Sequence, residues 1–444
     1  MNLNHKNRER LAVSYSFKNK CKLHMKLFKT ICLSLIAMTS VGTYAQEFDA
    51  NLQLRPRYEF RNGFKSPISN ADDATSFISQ RSRLNFNFKQ EKLKAKLTLQ
   101  NVRTWGDVTT TTQADKTGIA LFEAWAQYDF SSNWNARVGR QVISYDNQRI
   151  LGEIDWAQQG QSHDAAVVTF HPENHQLDLG VAVNANAENL VEPKTPYTTN
   201  YKYMQYAWYH TKISQLNMSL LLLNTGYEFE KTVGDLEVDY KQTFGTYLTF
   251  KEKKWDTNLG LYGQTGESAD KNVTAWYAGA FAGYAITNAF KAGLGYEYLS
   301  GKDQDDNSTD IKSFNPLFGT NHGFNGYMDY FYVGNHQNSV GLQDAYLKLN
   351  YTSNKWQFAL MPHVFYAPNT VLNAANEKMD SYLGTEIDFT TSYTIQKDIV
   401  ASAGYSQMFA STTLERVKNV TDPANTNNWV WVMVSFNPRI FTLK

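Results

Sequence analysis

Basic residues at every second position are the first candidates for chemistry in this sequence. Arg55 and Arg57 form one such pair, and Arg81 and Arg83 form another. Residues two apart on a β-strand point to the same face, so each pair would present two cations side by side. Arginine suits carboxylates because its planar fork of donors pairs two oxygens at once. The pattern predicts a surface that binds or guides anions, with these basic candidates: Arg55, Arg57, Arg81, Arg83, Lys94, Lys96 and Arg137. Arg140 and Arg149 are further candidates for the path of a solute, and they belong to the stretch at 135–168.

Acidic residues share the polar face of the same kind of segment. The candidates are Glu123, Asp164, Glu386 and Asp388. They could pair with the arginines and brace the structure, so the sequence supports bracing and anion guidance equally. Residues 51–150 hold 15 Lys and Arg against 9 Asp and Glu, which makes this part basic. The whole chain is balanced, with 43 basic and 42 acidic residues, and this balance excludes a polybasic nucleic-acid binder.

Catalytic and metal-binding arrangements are weak by comparison. His163 and Asp164 lie near Ser162, but adjacent strand residues point to opposite faces, which spoils the geometry of a catalytic triad. The acidic run at 303–310 lacks the glycine and the glutamate of a calcium-binding EF-hand loop, so it indicates a solvated loop and at most a weak Ca²⁺ site. No phosphate-binding loop, dinucleotide fingerprint or zinc spacing is present. We therefore expect neither an enzyme nor a cofactor.

The elements that position these residues follow one repeating pattern after residue 46. Segments of about ten residues alternate polar and apolar side chains, and eighteen can be counted from 51–60 to 429–436. A charged side chain that faces lipid at mid-depth costs about 2–4 kcal/mol, so the polar faces must line a lumen. Open strand edges cannot be satisfied in hydrocarbon, so the sheet must close. The predicted fold class is all-β: a closed antiparallel transmembrane barrel of about 18 strands.

The connections between segments support the same fold. Every second connection is short, such as 90–92 and 214–215, whereas the others run from the brief 266–272 to the long 300–341. Bacterial outer-membrane barrels have this asymmetry, with tight periplasmic turns and long extracellular loops. Loops 145–163 and 300–341 could fold into the lumen or project outward, and the sequence leaves this open.

The N-terminus has the pattern of an export signal. From Met25 the chain has a basic stretch with Lys26 and Lys29, an apolar stretch and a small-residue cleavage site before Gln46. We predict that residues 1–45 are an N-terminal extension and cleavable signal peptide whose true start is Met25. Residues 46–444 would then form a single barrel domain in the bacterial outer membrane.

One stretch resembles a known family. Residues 135–168 read NARVGRQVISYDNQRILGEIDWAQQGQSHDAAVV, which is similar to the signature of the alginate export family of outer-membrane proteins. Residues 314–329 and 383–409 also resemble that family. The resemblance implies a monomeric 18-stranded barrel in Gram-negative bacteria, with an electropositive conduit for a polyanionic sugar. The matching residues of the first stretch are Gly139-Arg140-Gln141, Arg149, Trp156 and Asp164-Ala165.

The chain departs from the family pattern at one turn. The family's exporter resembles a gated device with a long periplasmic plug near the C-terminus, whereas residues 395–398 form only a short turn. This favours a passive porin for small polar, anionic solutes such as sugars or sugar acids. The alternatives are an export channel for an anionic, alginate-like exopolysaccharide and, third, a barrel enzyme or adhesin. The expected partners are outer-membrane lipid and lipopolysaccharide, the barrel-assembly machinery and the transported solute.

Overall fold

The computed structural model describes residues 46–111, 114–332, 335–336 and 339–443. The predicted signal peptide and its start at Met25 lie outside this part of the chain. The described residues form nineteen β-strands and one short α-helix, α1 (Thr412–Val417). The strands are β1 (Gln46–Asn62), β2 (Thr75–Gln90), β3 (Leu93–Thr104), β4 (Ala120–Asp129), β5 (Trp134–Gln141), β6 (His163–Phe170), β7 (His175–Val183), β8 (Tyr203–Ile213), β9 (Leu216–Thr232), β10 (Asp235–Glu252), β11 (Trp255–Ser268), β12 (Lys271–Ala285), β13 (Phe290–Leu299), β14 (Leu342–Ser353), β15 (Trp356–Tyr366), β16 (Tyr382–Gln396), β17 (Ile399–Ala410), β18 (Asn427–Phe436) and β19 (Arg439–Leu443).

The sheet closes on itself as an antiparallel barrel. From β1 to β18 each strand pairs with the next in sequence, and β1 also pairs with β18, for example Leu54 with Phe436. Strand β19 continues β18 after a break at Pro438 and pairs with the first residues of β1, with a register shift between Ala50 and Asn51. Since β19 continues β18, the barrel has 18 strands around its circumference, as predicted.

The two ends of the barrel differ in their connections. At one end, which also holds the start of β1 and the end of β18, all eight connections between described strands are two to four residues long. The other end has the long connections, so the predicted asymmetry is confirmed. Two predicted loops, 226–240 and 266–272, are instead continuous strand: β9–β10 and β11–β12 turn only at 233–234 and 269–270. Their tips take left-handed backbone angles, with φ of 79° at Gly234, as tight hairpins require.

The strands have one apolar and one polar face. In β5, Trp134 and Val138 point outward and are exposed, while Asn135 and Arg137 point inward. Such alternation is what lipid outside and water inside select. Within the described ranges, no helix is long and apolar enough to cross a bilayer.

Two of the long connections fold into the barrel. We call residues 142–162 the first lumen loop and the described residues of 300–341 the second lumen loop, and they contribute Leu151, Phe318 and Met328 to one buried apolar cluster. Strand residues of the inner face, such as Trp429, belong to the same cluster. The hydrophobic core of the molecule thus lies inside the lumen, toward the end with the long connections.

Candidate functional site

Four predicted arginines form one patch on the inner face of β1 and β2. Arg55 lies directly opposite Arg81 across the strand pair, and Arg57 and Arg83 flank them. We call Arg55, Arg57, Arg81 and Arg83 the arginine wall. Its spacing follows from the two-residue period of the strands and the register between them.

The arginine wall holds the first lumen loop. Arg55 donates from Nη2 to the carbonyl oxygen of Asp155 at 2.7 Å, and Arg57 donates from Nη1 to the carbonyl oxygen of Trp156 at 2.7 Å. Arg81 donates to Asp155 Oδ1 at 2.7 Å. The loop covers these side chains, and Arg55, Arg57 and Arg81 are only 5%, 5% and 0% exposed. Burial acts to raise the pKa of Asp155, but the positive charges of Arg81 and Arg55 lower it by a larger amount. The pKa of Asp155 therefore lies below its ordinary value.

The other basic candidates of the first strands are more accessible. Lys94 pairs with Asp129 at 2.8 Å, and its side chain is 39% exposed. Lys96 pairs with Glu123 but stays 28% exposed. It can therefore brace the barrel and still face a solute, so bracing and anion guidance both stay open. The Arg137 guanidinium lies over the Trp125 ring, with 4.4 Å from Cζ to the ring centroid, and donates to the Gln127 amide.

Arg149 joins the two lumen loops. It belongs to the first loop and donates from Nη2 to Asn325 of the second loop at 2.9 Å. The same Nη2 lies 3.0 Å from Glu297 Oε2 on β13. The guanidinium is fully enclosed, between the rings of Tyr277 and Phe324. Arg149 is thus a structural tie between two loops and the barrel wall.

Four buried carboxylates hold the second lumen loop, and their charge is opposite to that of the arginine wall. Glu386 accepts a hydrogen bond from the backbone N–H of Met328 at 2.7 Å, and Asp388 accepts one from Tyr327 at 3.2 Å. The Asn325 side chain donates to both other members of the group. All are 0–5% exposed. We call this group the carboxylate wall: Glu297, Asp344, Glu386 and Asp388.

A glycine lets the second lumen loop approach the carboxylate wall. Gly326 has a φ of 86°, and a Cβ at this position would lie 2.6 Å from Glu386 Oε2. The backbone therefore reaches the carboxylate only because no side chain intervenes. On the other side of the loop, Lys418, just after α1, donates to the carbonyl oxygens of Tyr330 and Asn335. Burial lowers the pKa of Lys418 to about 7.

The two lumen loops meet in an aromatic cluster. Trp156 of the first loop stacks on His322 of the second, with 4.5 Å between ring centroids and 12° between planes. The Trp431 ring of β18 lies edge-on to Trp156 at 4.9 Å, and the Arg57 guanidinium lies over Trp156 at 4.1 Å. His322 also shares a hydrogen bond with Asp329 at 2.8 Å. This cluster narrows the lumen, and only the family signature around Trp156 pointed toward it.

Two predicted lumen residues lie on the outside. Arg140 and Asp164 pair at 2.7 Å, and both share the outward face with the exposed Val138. The reason is parity: Arg140 is an odd number of residues from the inward-facing Arg137. The predicted lumen position of both residues is therefore wrong. His163 points inward and hydrogen-bonds Tyr201, so His163 and Asp164 occupy opposite faces as expected.

The acidic run at 303–310 satisfies its carboxylates with protein donors. Asp303 accepts the backbone N–H of Thr370 at 2.6 Å, and Asp306 accepts from Lys312 and from the backbone of Ser308. The described residues contain no group of three or more His, Cys, Asp or Glu side chains arranged to hold a metal ion.

The geometry defines a class of protein: a closed 18-stranded barrel of the outer-membrane porin type, with an inner face narrowed by two loops. The model of the family described as alginate export matches residues 46–427, so the chain belongs to the alginate export family. A search of curated protein sequences finds no match.

Solved structures of Pseudomonas aeruginosa barrels share the fold at low identity. OccK9 (OpdG) is 14% identical with a TM-score of 0.62, covering 88% of this chain and 98% of that one. OpdL is 12% identical with a TM-score of 0.61, covering 89% and 99%. OpdK, solved with vanillate, is 13% identical with a TM-score of 0.58, covering 89% and 99%. These likenesses concern the fold alone.

Proposed function

We propose that the barrel is a passive diffusion channel of the bacterial outer membrane that favours small anionic solutes, such as sugar acids. One observation carries the proposal. Of seven basic side chains on the inner faces of β1–β3 and β5, six share four carboxylates as ion-pair partners among the described residues, and Arg137 donates to the Gln127 amide instead. This side of the lumen therefore carries a net positive charge. The seven are Arg55, Arg57, Arg81, Arg83, Lys94, Lys96 and Arg137, and the four are Glu59, Glu123, Asp129 and Asp155.

The opposing charges do not cancel this effect along the path of a solute. The carboxylate wall is 0–5% exposed and already accepts donors from the second lumen loop. Lys94 and Lys96 keep partial exposure on this side of the lumen, so they remain accessible to a solute. A low-dielectric cleft lined by one sign of charge concentrates ions of the opposite sign. OpdK, a barrel of the same fold, was solved with vanillate, a carboxylate, which agrees with such a solute class.

Reversal potentials in planar bilayers test this function. In a tenfold KCl gradient we expect the wild-type channel to select chloride over potassium, and steady conductance without voltage-driven closure. The triple variant Lys94→Gln, Lys96→Gln, Arg137→Gln should move the reversal potential toward zero. Arg103→Gln is the matched control, because Arg103 pairs with Asp107 and Asp115 at the opposite rim. Cation selectivity or a silent wild-type channel would contradict the proposal.

Membership of the alginate export family favours a second candidate, the export of an anionic exopolysaccharide. The two-residue turn at 397–398, between β16 and β17, leaves no long plug at this position. A strain lacking the protein would retain an acidic polymer in the periplasm if export is the function. Under the porin proposal the same strain instead loses uptake of small acids.

A further inference from the structure

The lumen wall across from the arginine wall contains a separate pocket that the loops do not fill. Strand β11 is nine strands away from β2 around a barrel of 18 strands, so the two lie on opposite sides. A cavity of about 650 Å³ opens there, at the end with the short turns. We call it the lysine pocket, and its main lining residues are Lys251, Lys291, Lys348, Phe281, Gly283 and Gly293.

Glycines create the space in the lysine pocket. A Cβ on Gly293 would lie 2.4 Å from the Phe281 ring, and one on Gly283 would lie 2.9 Å from it. A Cβ on Gly295 would come within 2.0 Å of the Tyr346 ring. Without these side chains the two rings lie back against the strands. The wall is therefore hollow where large inward side chains would otherwise fill it.

The two rings form a flat aromatic surface. Phe281 and Tyr346 are nearly parallel, with 9° between planes and 6.2 Å between centroids. Phe281 lines both the lysine pocket and an adjoining cavity of about 360 Å³, which reaches Gly323 and Asn325 of the second lumen loop. The surface thus extends from the narrowing toward the end of the barrel with the short turns. Aromatic faces stack on planar rings and on the apolar faces of sugars.

Two lysines beside this surface have no hydrogen-bonded protein partner. Lys291 and Lys348 form no hydrogen bond or close ion pair with the residues that the structure describes, and Lys348 is half-buried. Asp256 pairs with Lys251 at 3.4 Å and acts on Lys348 only from a longer distance. The lining holds five lysines against two carboxylates, so the pocket has a surplus of positive charge. A half-buried ammonium that donates no hydrogen bond to the protein is costly unless a ligand or water satisfies it.

We propose that the lysine pocket is a second solute site, which binds a ring that carries a carboxylate. The ring lies on the surface of Phe281 and Tyr346, and the carboxylate accepts hydrogen bonds from Lys348 and Lys291. The inference rests on the proposed function in one respect, since anions must enter the lumen. The site gives a solute that passes the narrowing a place to dwell before it leaves the barrel. A planar aromatic acid and a pyranose acid share the required chemistry.

Single-channel recordings can test the site directly. Benzoate, galacturonate and acetate are added in turn to both compartments, and the duration of current blocks is measured. We expect longer blocks by the two ring acids than by acetate, and Lys348→Gln should shorten them about tenfold, the loss of one charge-assisted contact. The arms with benzoate and galacturonate show which ring the aromatic surface holds. Phe281→Leu should remove the difference between ring acids and acetate.

Lys397→Gln is the matched control, because Lys397 is exposed in the turn between β16 and β17 at the same end and does not line the pocket. Equal effects of Lys348→Gln and Lys397→Gln would mean a diffuse field and overturn the site. Equal block durations for acetate and the ring acids would also overturn it. The wild-type reversal potential, measured in the same bilayers, reports on the proposed function separately. Heat-modifiable mobility on gels confirms that each variant is a folded barrel.

Discussion

The arginine wall and the carboxylate wall perform the same task with opposite charge. Arg55 and Arg57 donate to backbone carbonyls of the first lumen loop, whereas Glu386 and Asp388 accept from backbone N–H groups of the second. In both places the charge belongs to the barrel and the loop supplies its main chain. These four contacts therefore do not depend on the side chains of the loops, unlike the contacts of Asp155 and Asn325.

The two walls differ in redundancy and in how firmly their charge is fixed. The arginine wall reaches the first loop from four side chains, including Arg83, which donates to the carbonyl oxygen of Gln159. The direct backbone contacts of Glu386 and Asp388 are one each. A guanidinium keeps its proton at any ordinary pH, but a carboxylate can be neutralised. The second lumen loop should thus be easier to release.

The largest effect is expected from the double variant Glu386→Ala, Asp388→Ala. It removes two charge-assisted hydrogen bonds worth about 1.5–3 kcal/mol each, enough to shift the loop population tenfold or more. Single-channel conductance and open-channel noise should both rise. Thr390→Ala is the control, as Thr390 faces the lumen two residues further along the same strand. Traces identical to those of the wild type would show that the carboxylate wall does not restrain the loop.

Acidification should release the same loop reversibly. Lys418 is buried against this loop, and burial lowers its pKa to about 7, well below the ordinary value of about 10.4. Because the folded-state pKa is lowered, the stability that the uncharged amine contributes is present above about pH 10.4 and is lost as the pH falls through about 7. Channel noise should therefore increase between about pH 8.5 and about pH 5.5 for the wild type, and Lys418→Met should remove this dependence on pH.

Arg81→Met should have a smaller effect. Arg55 still contacts Asp155, and the Asp155 side chain is 50% exposed, so water can replace the lost partner. We expect a modest rise in noise and little change in mean conductance. Arg103→Met provides the comparison at the rim. A rise as large as that of the double alanine variant would refute the idea that the arginine wall is redundant.

Gly326→Ala should loosen the second lumen loop through its backbone, by less than the double alanine variant, which removes both carboxylates. The left-handed backbone costs an alanine about 1–2 kcal/mol, and the new Cβ would press on Glu386. Brief excursions to a higher conductance are the expected signal. Gly323→Ala in the same loop should be silent, because a Cβ there meets nothing within 4 Å. Equal numbers of these excursions in Gly326→Ala and Gly323→Ala would contradict the role of Gly326 in the contact between the loop and the carboxylate wall.

The barrel could be predicted from the sequence because alternation and turn length are local properties. Strand parity placed Arg55, Arg81 and Glu386 on the inner face correctly. Arg140 was taken from the family signature rather than from its position in the strand, and strand parity alone would have placed it on the outer face. The extensions of β9–β10 and β11–β12 were missed because their residues are polar where the strands leave the bilayer.

The narrowing could not be predicted because it depends on distant contacts. Arg149 and Glu297 are far apart in sequence, and only the folded loops bring them together. Trp156 and His322 come from different loops, so no single stretch encodes their stacking. Whether a polar loop enters a lumen is decided by such pairings, which leave no periodic trace.

The tall hairpin of β9 and β10 has a practical consequence. β10 alone has 18 residues, roughly 60 Å of chain, whereas a tilted strand needs only about 10 to cross a bilayer. The hairpin therefore stands well above the membrane as a paired ribbon, with Val233 fully exposed at its tip. A peptide inserted between Val233 and Gly234 would be displayed at the end of a rigid β-hairpin, away from the pore. This tip is therefore a suitable place for an epitope or a label on living cells.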